Sequence, residues 1–228
     1  MKDKHVLTRA LIEVEGMAAI IARDAPDVRL LTLEESAASL RATIAARPAG
    51  DAWLFGYGSL IWNPTIVSVE HRTARIEGWH REFCIATRAG RGSPDNPGLV
   101  LALDEGGSCS GVAFRIADEM LGAELAIVWR REMLTGVYIP RWLDILDQHG
   151  MQFGSALAFV ADPTCAQYDG DLAYDAIVER LATASGALGT SADYLFHTCE
   201  GLRMRGIPDD KLDRLAAQVR AYQDTPRR

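Results

Sequence analysis

Between Trp53 and Ile116 the chain runs through a dense series of short β-type segments: "WLFGY", "TIVSVEH", "ARIEGW", "EFCIAT", "GLVLAL" and "SCSGVAFRI". Some alternate apolar and polar residues and others are continuously apolar, as half-buried and fully buried strands do. The Gly- and Pro-rich loop "RAGRGSPDNPG", Arg88 to Gly98, interrupts them and reads as exposed. Helical patterns flank this block. Upstream, Thr32 and Glu35 form a T-x-x-E capping box, and Leu33, Ala37, Leu40 and Ile44 recur at helical spacing until Pro48 and Gly50. Downstream, Asp118 is placed to cap a helix ending near Leu134 and Gly136, and two further strands follow at "GVYIPRW" and "SALAFVA". The last third is helical at "YDAIVERLATAS", "SADYLFHTCEGLRMR" and "PDDKLDRLAAQVRAY", the last opening on Pro and two acids as a helix start prefers. Strands first and helices later make the fold class α+β, with a mostly antiparallel or mixed sheet.

At 228 residues the chain fits one large domain, or one with an appendage. Its net charge of −7, without a basic cluster, argues against nucleic acid or an anionic membrane as partner. No apolar run approaches bilayer length, and Glu13 and Glu15 interrupt the N-terminal segment, so neither membrane insertion nor export is expected. Cys84, Cys109, Cys165 and Cys199 are widely spaced and read as buried free thiols, which points to the cytoplasm. His5, His71, His80, His149 and His197 show no HxH or HxxxH spacing, so no metal site is expected.

"FGYGSLIWNP", Phe55 to Pro64, holds two glycines, a tyrosine and a serine but no group that ionises near neutrality. It is not a dinucleotide fingerprint, because Ile61 stands where the third glycine belongs and Asn63-Pro64 precludes a following helix. A phosphate-binding loop would need Gly-Lys-Ser/Thr, and a nucleophile elbow would need a glycine two residues after Ser59. Two readings remain: a β-bulge or barrel corner, or a strand end whose exposed backbone N–H groups bind a carboxylate or a carbonyl oxygen.

In "DEMLGAELAIVWRREMLTG", Leu121, Leu125 and Val128 form one apolar helical stripe, and Glu132 occupies its next position. A carboxylate on a core-facing stripe is either paired, here by Arg130, Arg131 or a distant arginine, or placed for proton transfer. Trp129 and Trp142 read as core residues, His80 and Arg81 as structural hydrogen-bonding groups, and Asp209, Asp210 and Asp213 as a solvated face.

From Leu31 onward these segments together resemble the ChaC-like, glutathione-specific γ-glutamylcyclotransferases, in the form carried by bacterial members with a helical leader. The segments "WLFGYGSLIWNP", "GWHREFCIATRAGRGSPDNPGLVLALDEGGSCSGVAFRI", "VWRREMLTGVYIPRW" and "SGALGTSADYLFHTCEGLRMRGIPDDKLDRL" follow in the family's order. The resemblance implies a γ-glutamylcyclotransferase-like fold, with a barrel-like mixed sheet and flanking helices. Residues 1–50 would be a helical extension packed on a single catalytic domain, 51–228. It implies that Gly56, Tyr57, Gly58, Ser59, Leu60 and Ile61 hold the γ-glutamyl group, that Glu132 is the general acid/base, and that Tyr194 lines the same cavity. The implied reaction cleaves glutathione to 5-oxoproline and cysteinylglycine by attack of the substrate's own α-amine, and needs no cofactor. Arg88 and Arg91 are two candidates for the glycyl carboxylate. The alternatives are another γ-glutamyl peptide or amine as substrate, or a non-catalytic regulator of a cation transporter.

Overall fold

The computed structural model describes residues 7–225, so His5 lies outside the described residues. Five strands close a barrel in the order β1-β3-β2-β4-β5: β1 (Ala52–Gly56), β2 (Glu70–Thr87), β3 (Gly98–Ile116), β4 (Tyr138–Leu146) and β5 (Gln152–Ala161). Pairing is antiparallel except where β5 meets β1 and β3 in parallel, so the sheet is mixed.

The continuously apolar runs belong to strands buried on both faces. In β1, Trp53 and Phe55 enter one core and Ala52 and Leu54 the other; in β5, Ala156, Ala158 and Val160 oppose Leu157, Phe159 and Ala161. The first core is completed by α6 (Tyr174–Thr183), α7 (Ser191–Met204) and α8 (Asp210–Asp224). The second is covered by α5 (Leu121–Glu132), with Leu121, Leu125, Val128 and Trp129 inward.

Two pairs of the expected short strands are single long ones. "ARIEGW" and "EFCIAT" are consecutive parts of β2, and "GLVLAL" and "SCSGVAFRI" of β3, with register shifts at Glu77/Trp79 and Phe83/Ile85. At such bulges the strand bends without ending, so turn residues inside it do not terminate the pairing. "TIVSVEH" contributes only Glu70 and His71 to β2; Thr65 after Pro64 takes φ 55°, and the extended ladder starts beyond that bend.

Asp118 does not cap α5. It lies in a 3-10 turn, Asp118–Met120, with Ala117 at the cap position, and its carboxylate meets Arg47 at 2.7 Å. A helix does open in the glycine stretch, contrary to the sequence reading: α4 (Ser59–Trp62) makes one turn before Asn63-Pro64 stops it. Upstream of the barrel lie α1 (Arg9–Glu13), α2 (Gly16–Asp24) and α3 (Leu33–Ala45), the last with both bonds of its Thr32/Glu35 capping box in place. Leu33 is exposed, so the apolar side of α3 rests on Leu40 and Ile44. Cys84, Cys109 and Cys199 are buried and Cys165 half-buried, all as free thiols.

Candidate active site

The chain leaves β1 at Gly56 and turns through Tyr57 and Gly58 into α4. A cavity of about 210 Å³ lies against this turn. Tyr57, Gly58, Ser59 and Leu60 line it, as do Glu132 at the end of α5 and Tyr194 on α7. The structure thus brings together residues far apart in sequence. Gly56 and Ile61 do not reach the wall. Gly56 faces the Phe114 ring, where a Cβ would stand 3.0 Å from Cε2, and Ile61 is buried in the first core.

Gly58 must be small for a local reason: a Cβ there would stand 2.9 Å from the Tyr194 hydroxyl oxygen and 3.5 Å from Leu101 Cδ1. The turn is also held from behind. Arg81 donates from Nε to the Tyr57 carbonyl at 2.6 Å and from Nη2 to the Ser110 carbonyl at 2.5 Å. A trans peptide points its C=O and the following N–H in opposite directions, so fixing the Tyr57 carbonyl on Arg81 aims the Gly58 N–H away from it. Among the described residues no acceptor takes the amides of Gly58, Ser59 or Leu60.

Glu132 is not an unpaired buried carboxylate. Its side chain is 16% exposed, and Arg131 Nε lies 2.7 Å from Oε1. The same guanidinium donates to Ser59 Oγ at 2.7 Å, to the Asn63 carbonyl at 2.5 Å and to Thr65 Oγ1 at 3.1 Å. Arg131 therefore spans the carboxylate and the glycine turn. Adjacency in sequence named Arg131 as one possible partner, but its grip on residues 59–65 depends on how α5 crosses α4.

Three tyrosines surround the carboxylate. Tyr57 donates to the Phe159 carbonyl at 2.8 Å and Tyr138 to the Leu101 carbonyl at 3.1 Å. Tyr194 is wedged edge-on between Trp62 and Phe83, with ring centroids 6.2 and 6.0 Å away. Burial raises the pKa of all three, and the negative charge of Glu132 adds to the shift. They are neutral hydroxyls at physiological pH, able to donate hydrogen bonds but not to act as bases. Tyr138, which also lines the cavity, carries no periodicity signal in the sequence that marks it as a site residue.

The "RAGRGSPDNPG" loop is exposed only near its tip, at Pro94 and Asp95; Ala89, Gly90, Arg91 and Gly92 are buried, and the segment 88–91 lines the cavity. Gly and Pro mark the turn but cannot say what covers it. The two candidate arginines differ. Arg88 is ion-paired with Asp27. Arg91 is 9% exposed, donates to the Thr190 carbonyl at 3.2 Å, and has no carboxylate partner within 4 Å among the described residues. Burial lowers its pKa, as expected for a cation drawn out of water.

The sequence matches the family described as ChaC-like protein over residues 52–222. It is 45% identical over 192 residues to the glutathione-specific gamma-glutamylcyclotransferase of Escherichia coli (strain K12), spanning 84% of this chain and 83% of that one. Identity to glutathione-specific gamma-glutamylcyclotransferase 1 of Homo sapiens is 31% over 172 residues, or 74% of this chain and 77% of that one. A crystal structure of the yeast cyclotransferase specific to glutathione superposes with a TM-score of 0.71 over 78% of this chain and 100% of that chain; at 18% identity, that likeness concerns the fold alone. With a family match running from β1 into α8 and a relative this similar over most of both chains, the chain belongs to the ChaC-like family.

Proposed function

We propose that this chain is an enzyme, a γ-glutamylcyclotransferase acting on glutathione, with residues 51–228 as its catalytic domain and residues 1–50 as an extension of it. The α-amine of the γ-glutamyl group attacks the γ-carbonyl carbon, a C–N bond closes the five-membered lactam of 5-oxoproline, and the amide bond to cysteinylglycine breaks. The nucleophile belongs to the substrate, so the protein has to fold the substrate onto itself and move protons off the attacking nitrogen and onto the departing one. Glu132 takes one proton from the α-ammonium, freeing the amine to attack, and loses it to solvent; it then takes the proton that the nitrogen sheds as the C–N bond closes and delivers it to the nitrogen of cysteinylglycine as that amine departs. The Tyr57–Leu60 turn presents backbone N–H groups to the γ-carbonyl oxygen as charge gathers there. The tyrosine hydroxyls remain neutral and orient the bound group.

One observation carries this reading: a carboxylate and a turn with open amides face one cavity and are tied to each other through Arg131. Glu132→Gln is expected to melt like the wild type and to lose 5-oxoproline release by roughly 10²–10⁴-fold, the range of a single acid/base group. Full activity in that variant overturns the assignment. Assaying glutathione beside γ-glutamylalanine separates a glutathione enzyme from one for other γ-glutamyl compounds. A regulator without catalysis would release 5-oxoproline from neither. Buried free thiols fit a reducing cytoplasm as its location.

A further inference from the structure

The cavity is lined by residues of two different characters. The glycine turn, Glu132 and Tyr194 are a polar set. An apolar set comes largely from the N-terminal segment, which roofs part of the cavity: Met17 and Ile21 of α2, and Val28 beyond it, line it together with Leu188. Ile21 is buried against Ala89, with Val28 and Leu134 packed around it. Gly90 locates this roof, since a Cβ at that residue (φ 77°) would stand 3.4 Å from Leu188 Cδ1 and 3.9 Å from Met17 Cε. Met17 and Leu188 therefore flank the residue before Arg91, a buried cation with no carboxylate partner within 4 Å among the described residues.

This roof is fastened around the cavity rather than laid on it. Asn63 Nδ2 donates to the Leu7 carbonyl at 2.8 Å, and Arg9 pairs with the buried Glu124 of α5 at 2.7 and 3.1 Å. Asp27 holds Arg88, and the Leu31 amide donates to the Leu134 carbonyl at 2.8 Å, two residues past Glu132. The family match begins at residue 52, so Met17, Ile21 and Val28 lie outside it.

We propose that Met17, Ile21, Val28 and Leu188 form the subsite for the side chain of the residue that follows the γ-glutamyl group. The N-terminal segment then selects γ-glutamyl peptides whose second side chain is small and weakly polar. This rests on the cyclotransferase reading above. On this proposal a peptide held at its γ-glutamyl end by the turn and at its far carboxylate by Arg91 rests its middle residue against Met17 and Leu188, the two side chains nearest to where a Gly90 Cβ would stand and both part of the cavity lining. None of the four side chains carries a strong hydrogen-bonding group. A thiol, which behaves as a small apolar group, fits there, whereas a hydroxyl loses its water without gaining a partner.

The test compares three tripeptides, γ-Glu-Cys-Gly, γ-Glu-aminobutyryl-Gly and γ-Glu-Ser-Gly, on the full chain and on Met17→Gln, which keeps side-chain length and helix propensity. In the wild type, kcat/KM for the first two exceeds that for the seryl peptide by about 10-fold or more, as an apolar pocket discriminates a hydroxyl. Met17→Gln reduces that ratio by roughly 3-fold or more. A merely structural role would lower all three rates in proportion and leave the ratio unchanged. That result, or a wild type that accepts the seryl peptide as well as the others, overturns the proposal. Calorimetric titration of Glu132→Gln with the same peptides separates the two readings. If the wild type forms no 5-oxoproline but binding to Glu132→Gln keeps the predicted order, the reaction is wrong and the subsite stands. Binding without preference removes the subsite, and no binding removes both.

Discussion

A buried guanidinium with no carboxylate in hydrogen-bond reach is an uncommon arrangement, because among the described residues the cation has lost water and gained the Thr190 carbonyl, with Asp193 acting only as a more distant charge. Arg91 is in that position, while Arg88 is already occupied by Asp27. The missing counter-charge is one that a glutathione molecule brings with its glycyl carboxylate. Arg91→Met is expected to raise KM for glutathione on the order of 10- to 100-fold with kcat little changed, the effect of a lost charge-assisted hydrogen bond. The control is glutathione glycinamide, which lacks that carboxylate. Wild type should discriminate against the amide and Arg91→Met should not; equal discrimination by both would assign the contact elsewhere. Both arginines stood out in the sequence as loop cations, but nothing local distinguished them. Their difference lies in Asp27, sixty-one residues from Arg88 along the chain.

At the scale of elements, the glycine turn is supported by a strand and a helix it does not touch in sequence. The side chain of Arg81 on β2 is 4% exposed, and besides Tyr57 and Ser110 it meets the Asp209 carboxylate at 2.5 Å. Asp209 also caps α8, accepting the Leu212 amide at 3.0 Å. The expected solvated acidic face therefore holds only at Asp210, which is exposed, since Asp213 is half-buried and pairs with Arg203 at 2.8 Å. Asp209→Asn preserves the cap, since Asn serves there as well as Asp, and removes the charge that holds Arg81 in place. The expected result is a fall in kcat of about 3- to 10-fold, with KM and helix content near wild type, because the Tyr57–Gly58 peptide loses orientation rather than substrate contacts. Circular dichroism with steady-state kinetics checks it, and unchanged kcat would mean that the two backbone carbonyls alone suffice to fix Arg81.

Across the whole molecule, the N-terminal segment is joined to α5, the helix that ends at Glu132, through a buried carboxylate. Glu124 is 2% exposed and receives Arg9 and the Val67 amide, the latter at 2.9 Å. Burial alone would raise its pKa, but these hydrogen bonds outweigh it and the net shift is downward. A depressed folded-state pKa contributes stability that is present above the ordinary carboxylate range and is lost as pH falls through the lowered value. Glu124→Gln is therefore expected to lose about 1–3 kcal/mol at pH 7, the lower figure applying because Arg9 is partly solvated. The deficit relative to wild type should shrink towards pH 3; urea melts across that range measure it, and a constant deficit would place the loss in packing. Glu124 had no signal in the sequence, since it sits in the first turn of α5 at a position that reads as polar surface until Arg9, 115 residues away along the chain, is folded against it. The parts legible beforehand were those governed by neighbours within a few residues: most of the strand and helix segments though not "TIVSVEH", the strand boundaries or the turn of helix at Ser59, the Thr32–Glu35 cap, the stripe leading to Glu132 and the odd backbone of residues 55–64. Periodicity and capping are short-range chemistry, so the sequence alone determined the α+β class and drew attention to Glu132 and the glycine stretch. Which arginine is left without a counter-ion, which loop is buried and which segment roofs the cavity depend on charges and apolar faces meeting from opposite ends of the chain, and only the tertiary structure decided them.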